Sequence, residues 1–198
     1  MTLDQYRPHV KVYFDPLVSL AIRCRITPNI LTVAAFAASA VAGIFFYLRL
    51  DLCAVCAVAL NAFFDAMDGA VAREMKITSK RGDFLDHAVD RYADIFIITG
   101  IFASGLVPWQ IGVLALTGVL MSSYLGTQTQ AVGIGRYYGG LLGRADRLVL
   151  ILVVGIITIL FPLSIAGLTW FGWLLLLFGI FGHVTAFQRF AYAWRKME

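Results

Sequence analysis

Long apolar runs dominate this chain and restrict what it can fold into. Hydrophobic residues make up 60% of its 198 residues and charged residues only 14%, whereas a soluble domain carries about 25% charged residues. A helix needs about 20 apolar residues to cross the hydrocarbon core of a bilayer. Six segments are predicted to be membrane spans: 30–48, 53–72, 86–106, 108–128, 147–161 and 168–190. We therefore predict an all-α integral membrane protein with six transmembrane helices, in which residues 1–198 form a single domain.

The segment before the first span, residues 9–25, mixes apolar and charged side chains. Its apolar positions are Val12, Leu17, Leu20 and Ile22. They alternate roughly with charged residues, which is typical of an amphipathic helix that lies in the membrane interface. The dipeptide Thr27-Pro28 is expected to end this helix, and Asn29 to cap the first span.

Lysine and arginine residues cluster in four places. They precede span one, separate spans two and three, separate spans four and five, and end span six, while the opposite side carries only Arg49. Loops on the cytoplasmic side of a membrane are enriched in these residues. The pattern predicts a multi-pass protein of the cell membrane with both termini in the cytoplasm.

Four aspartates, Asp65, Asp68, Asp86 and Asp90, lie within or at the edge of predicted spans. A carboxylate inside a bilayer costs roughly 3 kcal/mol, so a cluster of four needs a physical reason. The members of each pair lie three or four residues apart and share a helix face. Because the connecting segment 73–84 is short, the two helices are expected to be antiparallel neighbours. The four carboxylates should then converge at the cytoplasmic surface.

Two kinds of chemistry fit this cluster. A divalent cation would offset the negative charges, and Mg²⁺ or Mn²⁺ suits oxygen ligands better than Zn²⁺ does. Arg73 could bind a phosphate bidentately, and Gly69 and Gly82 leave room for a ligand. His87 is expected to point about 100° away from its neighbouring aspartate and to serve in packing or outside the ligand set. Alternatively, the carboxylates could form a proton or ion relay in a transporter.

The spacing of the cluster resembles a known signature. Residues 65–90, DAMDGAVAREMKITSKRGDFLDHAVD, read D-x2-D-G-x2-A-R-x8-G-x3-D-x3-D. This matches without a gap the signature of the CDP-alcohol phosphatidyltransferase family. The Thr27-Pro28-Asn29 start of span one and the six-span layout are also similar. The resemblance favours a transferase over a relay, because a transporter needs neither Gly69 and Gly82 nor this spacing.

The resemblance implies an activity and a set of roles. Members of this family transfer a lipid group from a CDP-linked donor to a polar alcohol, release CMP, depend on Mg²⁺ or Mn²⁺, and are commonly homodimers. By position, Asp65, Asp68 and Asp86 would bind metal. Asp90 would be the general base and would also contact a second metal ion. The positions that resemble CDP-lipid-binding ones are Gly69, Arg73, Ser79, Gly82, Pro28, Asn29, Ile30 and Leu31.

The acceptor is predicted from residues 123–148, which join spans four and five. This segment carries three arginines on the side of the metal site: Arg136, Arg144 and Arg147. Together they favour an acceptor that carries a phosphate, although any one could be an ordinary positive-inside residue. Arg144 and Arg147 resemble a motif of the inositol-phosphate branch, but Gly126 and Gln128 replace that branch's Lys-x-Arg motif. Gln128 could hydrogen-bond a hydroxylated acceptor.

The predicted function is therefore a Mg²⁺- or Mn²⁺-dependent transferase of phospholipid synthesis that uses two ions. The expected donor is CDP-diacylglycerol or CDP-archaeol. The expected acceptor is glycerol phosphate, followed by inositol phosphate and then serine. We expect a homodimer that binds membrane lipid and no nucleic acid. An ion-coupled transporter or a non-catalytic membrane scaffold is the alternative from a different class.

Overall fold

The computed structural model describes residues 7–137 and 139–197, with side chains from Asp15 onward. This part of the chain forms seven helices and one short hairpin. The helices are α1 (Arg7–Arg23), α2 (Pro28–Tyr47), α3 (Asp51–Glu74), α4 (Lys80–Ala103), α5 (Trp109–Ala131), α6 (Arg144–Leu160) and α7 (Trp170–Lys196). The hairpin pairs β1 (Ser164–Ile165) with β2 (Leu168–Thr169) in antiparallel register between α6 and α7.

The helical class of the fold is confirmed, and four helices are long and apolar enough to cross a membrane: α2, α3, α5 and α7. The other two predicted spans correspond to α4 and α6 but do not meet that criterion. Charged residues occupy α4 as far as Asp94, and α6 has only 17 residues, or about 25 Å of length. Two boundaries also differ, because α4 already begins at Lys80 and α7 continues to Lys196.

The first helix packs against the end of α3 that carries the aspartates. Val18 and Ala21 of α1 are buried in a small apolar cluster with Leu31, Met67 and Val71. Leu17 and Leu20 of the same helix are exposed. One face of α1, with Val18 and Ala21, therefore packs against α2 and α3, and another face exposes the apolar side chains Leu17 and Leu20.

The cap of α2 differs from the prediction. Thr27, with extended backbone, is the N-cap residue, and its hydroxyl accepts a hydrogen bond from the Ile30 amide at 3.4 Å. Pro28 occupies the first helical position, where its fixed φ and missing N–H cost nothing. The prediction that Asn29 caps this helix is therefore wrong, and the Asn29 side chain is exposed at the start of α2.

Helix α2 is the common support of α3 and α4. It packs extensively along both of them, whereas α3 and α4 make few direct contacts in the described part of the chain. The α2 and α4 backbones touch where Gly43 meets Gly100, since a Cβ on Gly43 would lie 2.5 Å from the Phe96 carbonyl oxygen. The expected antiparallel neighbours are thus held together through α2, and the space between their polar ends is left for the site.

Candidate active site

The four predicted aspartates converge from α3 and α4. Carboxylate oxygens of Asp65, Asp68 and Asp86 all lie within 4.8 Å of one another. A second group, formed by Asp86, His87 and Asp90, meets the same limit and shares Asp86 with the first. Contrary to the expectation from helix geometry, the His87 ring lies 3.7 Å from Asp86 and is turned toward the cluster. The cluster therefore offers oxygen ligands from two helices, with one imidazole beside them.

Helix α2 contributes a contact that the sequence does not reveal. The Thr32 hydroxyl donates to Asp68 Oδ2 at 2.7 Å, and both side chains are buried. One turn further along α2, the carbonyl of Ala35 accepts a hydrogen bond from the Asn61 amide at 2.8 Å. Asn61 precedes Asp65 by one helical turn, so these two contacts fix the aspartate-bearing face of α3 against α2.

Arg144, at the start of α6, reaches into the acidic cluster. Its Nη1 atom lies 2.6 Å from Asp65 Oδ1 and 2.9 Å from Asp90 Oδ1. Arg91 Nη2 lies 3.5 Å from the other Asp90 oxygen. The predicted general base is thus buried, at 7% exposure, between two guanidinium groups.

One turn deeper, α4 and α6 are joined by a second ion pair. Arg147 Nη2 donates to Asp94 Oδ2 at 2.8 Å. The two residues are 3% and 6% exposed. The sequence interpretation does not include Asp94 in the site, although it lies within predicted span three. A charge inside a predicted span is itself a signal of function, and that signal could have identified Asp94.

Two further arginines extend this positive region. Arg91 lies beside Asp90 on α4, and Arg189 donates from α7 to the Ser122 and Gly139 carbonyls. The sequence interpretation includes neither residue in the site: Arg91 lies within predicted span three, and Arg189 reads as an ordinary basic residue at the end of span six. We call these four residues the arginine wall (Arg91, Arg144, Arg147 and Arg189); Arg91 and Arg144 contact Asp90, and Arg147 pairs with Asp94 one turn away.

Arg189 packs against Gly126, which stands where the inositol-phosphate branch has the lysine of its Lys-x-Arg motif. A Cβ on residue 126 would lie 2.6 Å from Arg189 Nη1. Arg189 instead passes over this glycine, donating to the Ser122 carbonyl at 2.6 Å and to the Gly139 carbonyl at 2.8 Å. A guanidinium from α7 therefore lies directly beside this position of α5.

The residues assigned to the CDP-lipid lie in two places. At the start of α4, the Ser79 hydroxyl accepts from the Gly82 amide at 3.1 Å. A Cβ on Gly82 would lie 3.4 Å from Ser79 Oγ and 4.0 Å from Asn29 Oδ1. On α3, the exposed Arg73 guanidinium folds over Gly69, where a Cβ would lie 3.1 Å from Nη1. Both glycines therefore leave space beside polar side chains.

The segment Pro28–Leu31 is divided between the surface and the core. Asn29 and Ile30 are exposed and Pro28 is half-buried. Leu31, in contrast, is 7% exposed and packs among residues of α1 and α3. The accessible part of the segment is therefore Asn29 and Ile30.

Arg136, predicted for the acceptor, pairs with an acid outside the signature. Its Nη1 and Nη2 atoms donate to the two Asp83 oxygens at 3.2 and 2.9 Å, and its Nε donates to Gln130 at 3.2 Å. The hydrogen bonds from Arg136 lower the pKa of Asp83, so the pair is formed at neutral pH and is lost only when pH falls through that lowered value. Gln128 is exposed near the end of α5.

This geometry makes a prediction for Arg136. If the arginine serves mainly to tie the α5–α6 loop to α4, Arg136→Ala and Asp83→Ala should raise the acceptor KM equally. The rise should be less than about fivefold, since exposed ion pairs contribute about 0.2–1 kcal/mol. Steady-state kinetics with the two single variants and the double variant measure this. A larger rise for Arg136→Ala alone would instead indicate direct binding of the acceptor.

The chemistry of the site fits a divalent cation beside an anionic substrate. Carboxylate oxygens are hard ligands of the kind that Mg²⁺ and Mn²⁺ prefer. Several buried guanidinium nitrogens of the arginine wall have no hydrogen-bond partner among the described residues: Arg91 Nε, Arg144 Nε and Nη2, and Arg147 Nε. Buried donors generally find an acceptor, and phosphate oxygens would provide one.

Comparison with known proteins identifies the class. A sequence profile described as CDP-alcohol phosphatidyltransferase matches residues 25–183. The chain therefore belongs to the CDP-alcohol phosphatidyltransferase family, and its activity is that of a transferase of this family. This membership confirms the resemblance found in the sequence and the predicted divalent-metal cofactor, and it favours an enzyme over a transporter.

Similar proteins are found among archaea and bacteria. An archaetidylinositol phosphate synthase of Pyrococcus horikoshii is 36% identical over 154 residues, covering 78% of this chain and 82% of that protein. The corresponding enzyme of Methanothermobacter thermautotrophicus is 30% identical over 99% of this chain and 96% of its own length. The crystal structure of Mycobacterium tuberculosis phosphatidylinositol phosphate synthase with bound CDP-DAG has the same fold, with a TM-score of 0.78 at 22% identity, covering 90% of this chain and 92% of that chain.

Proposed function

We propose that this protein transfers the archaetidyl or phosphatidyl group of a CDP-linked lipid to inositol phosphate and releases CMP. Relatives at 36% and 30% identity are named archaetidylinositol phosphate synthases. They favour inositol phosphate over glycerol phosphate, which the sequence interpretation places first. The structural observation that best supports a phosphorylated acceptor is the arginine wall near Asp90. Several of its buried N–H groups have no partner among the described residues.

The aspartates divide into ligands and a base. Asp65, Asp68 and Asp86 would hold divalent cations, either Mg²⁺ or Mn²⁺, and Asp90 would contact a second ion. A bound cation supplies positive charge to the diphosphate of the donor and to the departing CMP. Arg144 lies within ion-pair distance of both Asp65 and Asp90, so it links the ligand helix α3 to the base on α4.

Asp90 would act on the acceptor hydroxyl as a general base. The hydroxyl oxygen forms a bond to the β-phosphorus of the donor, and the bond from that phosphorus to the oxygen of CMP breaks. The proton of the hydroxyl passes to Asp90, and CMP leaves with the bonding electron pair. Because Asp90 is held beside Arg91 and Arg144, its contribution comes from position as well as from basicity.

The arginine wall would orient the acceptor. Arg144 and Arg147 offer N–H groups that have no partner in the described structure, and phosphate oxygens match a guanidinium bidentately. Arg189 would add positive charge from α7, where its guanidinium is held by the Ser122 and Gly139 carbonyls. A phosphate held there would bring the hydroxyl groups of the inositol ring close to Asp90.

The donor would bind on the other side of the aspartates. Asn29, Ser79 and Gly82 meet where α2 and α4 begin, and Arg73 lies over Gly69 on α3. These groups can hold the cytidine and phosphate moieties while the lipid tails remain in the bilayer. The exposed Ile30 lies at the entrance between these helices.

The same proposal includes the arrangement in the membrane. Helices α2 to α7 would be the six spans, α1 would lie in the interface with Leu17 and Leu20 toward lipid, and both termini would face the cytoplasm. The distribution of lysine and arginine supports this orientation. A homodimer, implied by the family resemblance, belongs to the proposal as well, and cross-linking in native membranes would measure it.

The acceptor assignment predicts a clear order of rates. Purified protein with CDP-archaeol or CDP-diacylglycerol and Mn²⁺ should release CMP about 100-fold faster with inositol phosphate than with glycerol phosphate. A site built for several hydroxyl groups rejects analogues that lack them. Free inositol and serine, which lack the phosphate, should be slower still. CMP release is measured by chromatography, and the lipid product by mass spectrometry.

Two outcomes would contradict this assignment. Faster release with glycerol phosphate would reverse the choice of acceptor while leaving the transferase reaction in place. No release with any acceptor, in Mg²⁺ or in Mn²⁺, would contradict the reaction itself. Chelation of the divalent ion with EDTA serves as the negative control, and the two metals in parallel show which one supports the faster rate.

A further inference from the structure

We propose that Thr32 is a positioning residue for the metal centre and acts through Asp68. This inference rests on the proposed role of Asp68 as a metal ligand. Thr32 lies on α2, outside the signature, and is 36 residues away from Asp68 in the chain. Its hydroxyl makes a buried hydrogen bond of 2.7 Å to Asp68 Oδ2, at a length typical of a hydroxyl that donates to an ionised carboxylate.

The direction of this hydrogen bond follows from the chemistry of the two groups. An ionised carboxylate can only accept, so the Thr32 hydroxyl must donate its single proton. The Pro28 carbonyl, 3.1 Å from the same hydroxyl, is the acceptor that a threonine in a helix ordinarily uses. The shorter contact to a charged oxygen indicates that the proton goes to Asp68.

The hydrogen bond restricts what Asp68 can do. With Oδ2 held by Thr32, the carboxylate cannot rotate freely, and an oxygen of Asp68 is kept within 4.8 Å of oxygens of Asp65 and Asp86. Both Thr32 and Asp68 are nearly inaccessible, at 5% and 6% exposure. Contacts of this kind around a metal site typically change metal affinity by about 10–100-fold when they are removed.

The position of α2 makes Thr32 suited to orienting a metal ligand. Helix α2 packs against both α3 and α4, which otherwise make few direct contacts in the described part of the chain. A side chain of α2 can therefore set the position of a ligand on α3 relative to the ligands on α4. Asn61, which donates to Ala35 of α2, fixes the same face of α3 one turn before Asp65.

The test measures Mn²⁺ affinity of the full chain in detergent without substrates, by electron paramagnetic resonance of free Mn²⁺. Thr32→Val keeps the branched shape and removes the hydroxyl, and it should weaken Mn²⁺ binding by about 10–100-fold. Thr32→Ser should restore the affinity, because it keeps the donor. Should Thr32→Val fail to fold, Thr32→Ala carries the same expectation.

Ser39→Ala is the matched control. Ser39 is a fully buried hydroxyl on the same helix, but it donates to the Phe36 carbonyl of its own helix. Its removal should leave Mn²⁺ affinity unchanged, even if the thermal midpoint of the metal-free protein falls. Unchanged affinity in Thr32→Val, or equally weak binding in Thr32→Ser and Thr32→Val, would overturn the positioning role.

One further variant separates this inference from the proposed function. Asp68→Asn should abolish the Mn²⁺ site whatever Thr32 does. If Asp68→Asn weakens binding and Thr32→Val does not, the metal centre stands and the role of Thr32 is wrong. If wild-type protein binds no Mn²⁺, or Asp68→Asn binds it normally, the ligand assignment fails and the role of Thr32 fails with it.

Discussion

Asp90→Asn is expected to lower kcat by about 1,000-fold or more while CDP-lipid binding persists, because a positioned general base typically contributes about 10²–10⁴-fold. The amide keeps the size of the carboxylate and cannot take a proton from the acceptor. Arg144, which loses one partner, is still held by Asp65 at 2.6 Å, so the shape of the site should survive. CMP release and equilibrium binding of the CDP-lipid are the two measurements.

The matched control for this variant is Asp51→Asn. Asp51 begins α3, at the end of the helix opposite the site, and the change is again from carboxylate to amide. Its turnover should match that of the wild type. Substantial turnover in Asp90→Asn would remove Asp90 from the role of base, and loss of CDP-lipid binding would show that its main contribution lies in holding the donor.

The aspartate cluster could be predicted because the signals that define it are local. Spacings of three and four residues place each pair on one helix face, and a short linker returns the chain to the same end of the molecule. The structure accordingly brings Asp65, Asp68 and Asp86 together. The sequence does not reveal that α2 holds the two helices in place, since this depends on a close approach such as that of Gly43 and Gly100.

The remainder of the site could not be predicted because its contacts join residues far apart in the chain. Thr32 and Asp68 are 36 residues apart in the sequence, and Arg147 and Asp94 are 53 residues apart, yet each pair is hydrogen-bonded. Arg189 reads as one of several basic residues at the end of the last span, and only helix packing shows that its guanidinium crosses Gly126. The sequence interpretation favoured glycerol phosphate because Gly126 and Gln128 stand where the inositol-phosphate branch has a Lys-x-Arg motif.

Arg147→Met is expected to lower the free energy of unfolding by about 3–5 kcal/mol, because it leaves the Asp94 charge buried without a partner. Asp94 is 6% exposed, and α4 and α6 make few other contacts in the described structure. Reversible unfolding in mixed micelles measures the change. The exposed pair of Asp83 and Arg136 is the control, since Arg136→Met should cost less than about 1 kcal/mol.

The double variant Asp94→Leu/Arg147→Met separates stability from function. Replacing a buried ion pair by apolar side chains of similar volume is often neutral for stability, so the double variant should recover most of what Arg147→Met loses. It should nevertheless keep a raised acceptor KM, because the arginine wall lacks one guanidinium. Stability changes that simply add would show that the two side chains are not coupled. Recovery of both stability and acceptor KM would show that Arg147 serves the fold alone, and the phosphate would then have to be bound by Arg144 and Arg189.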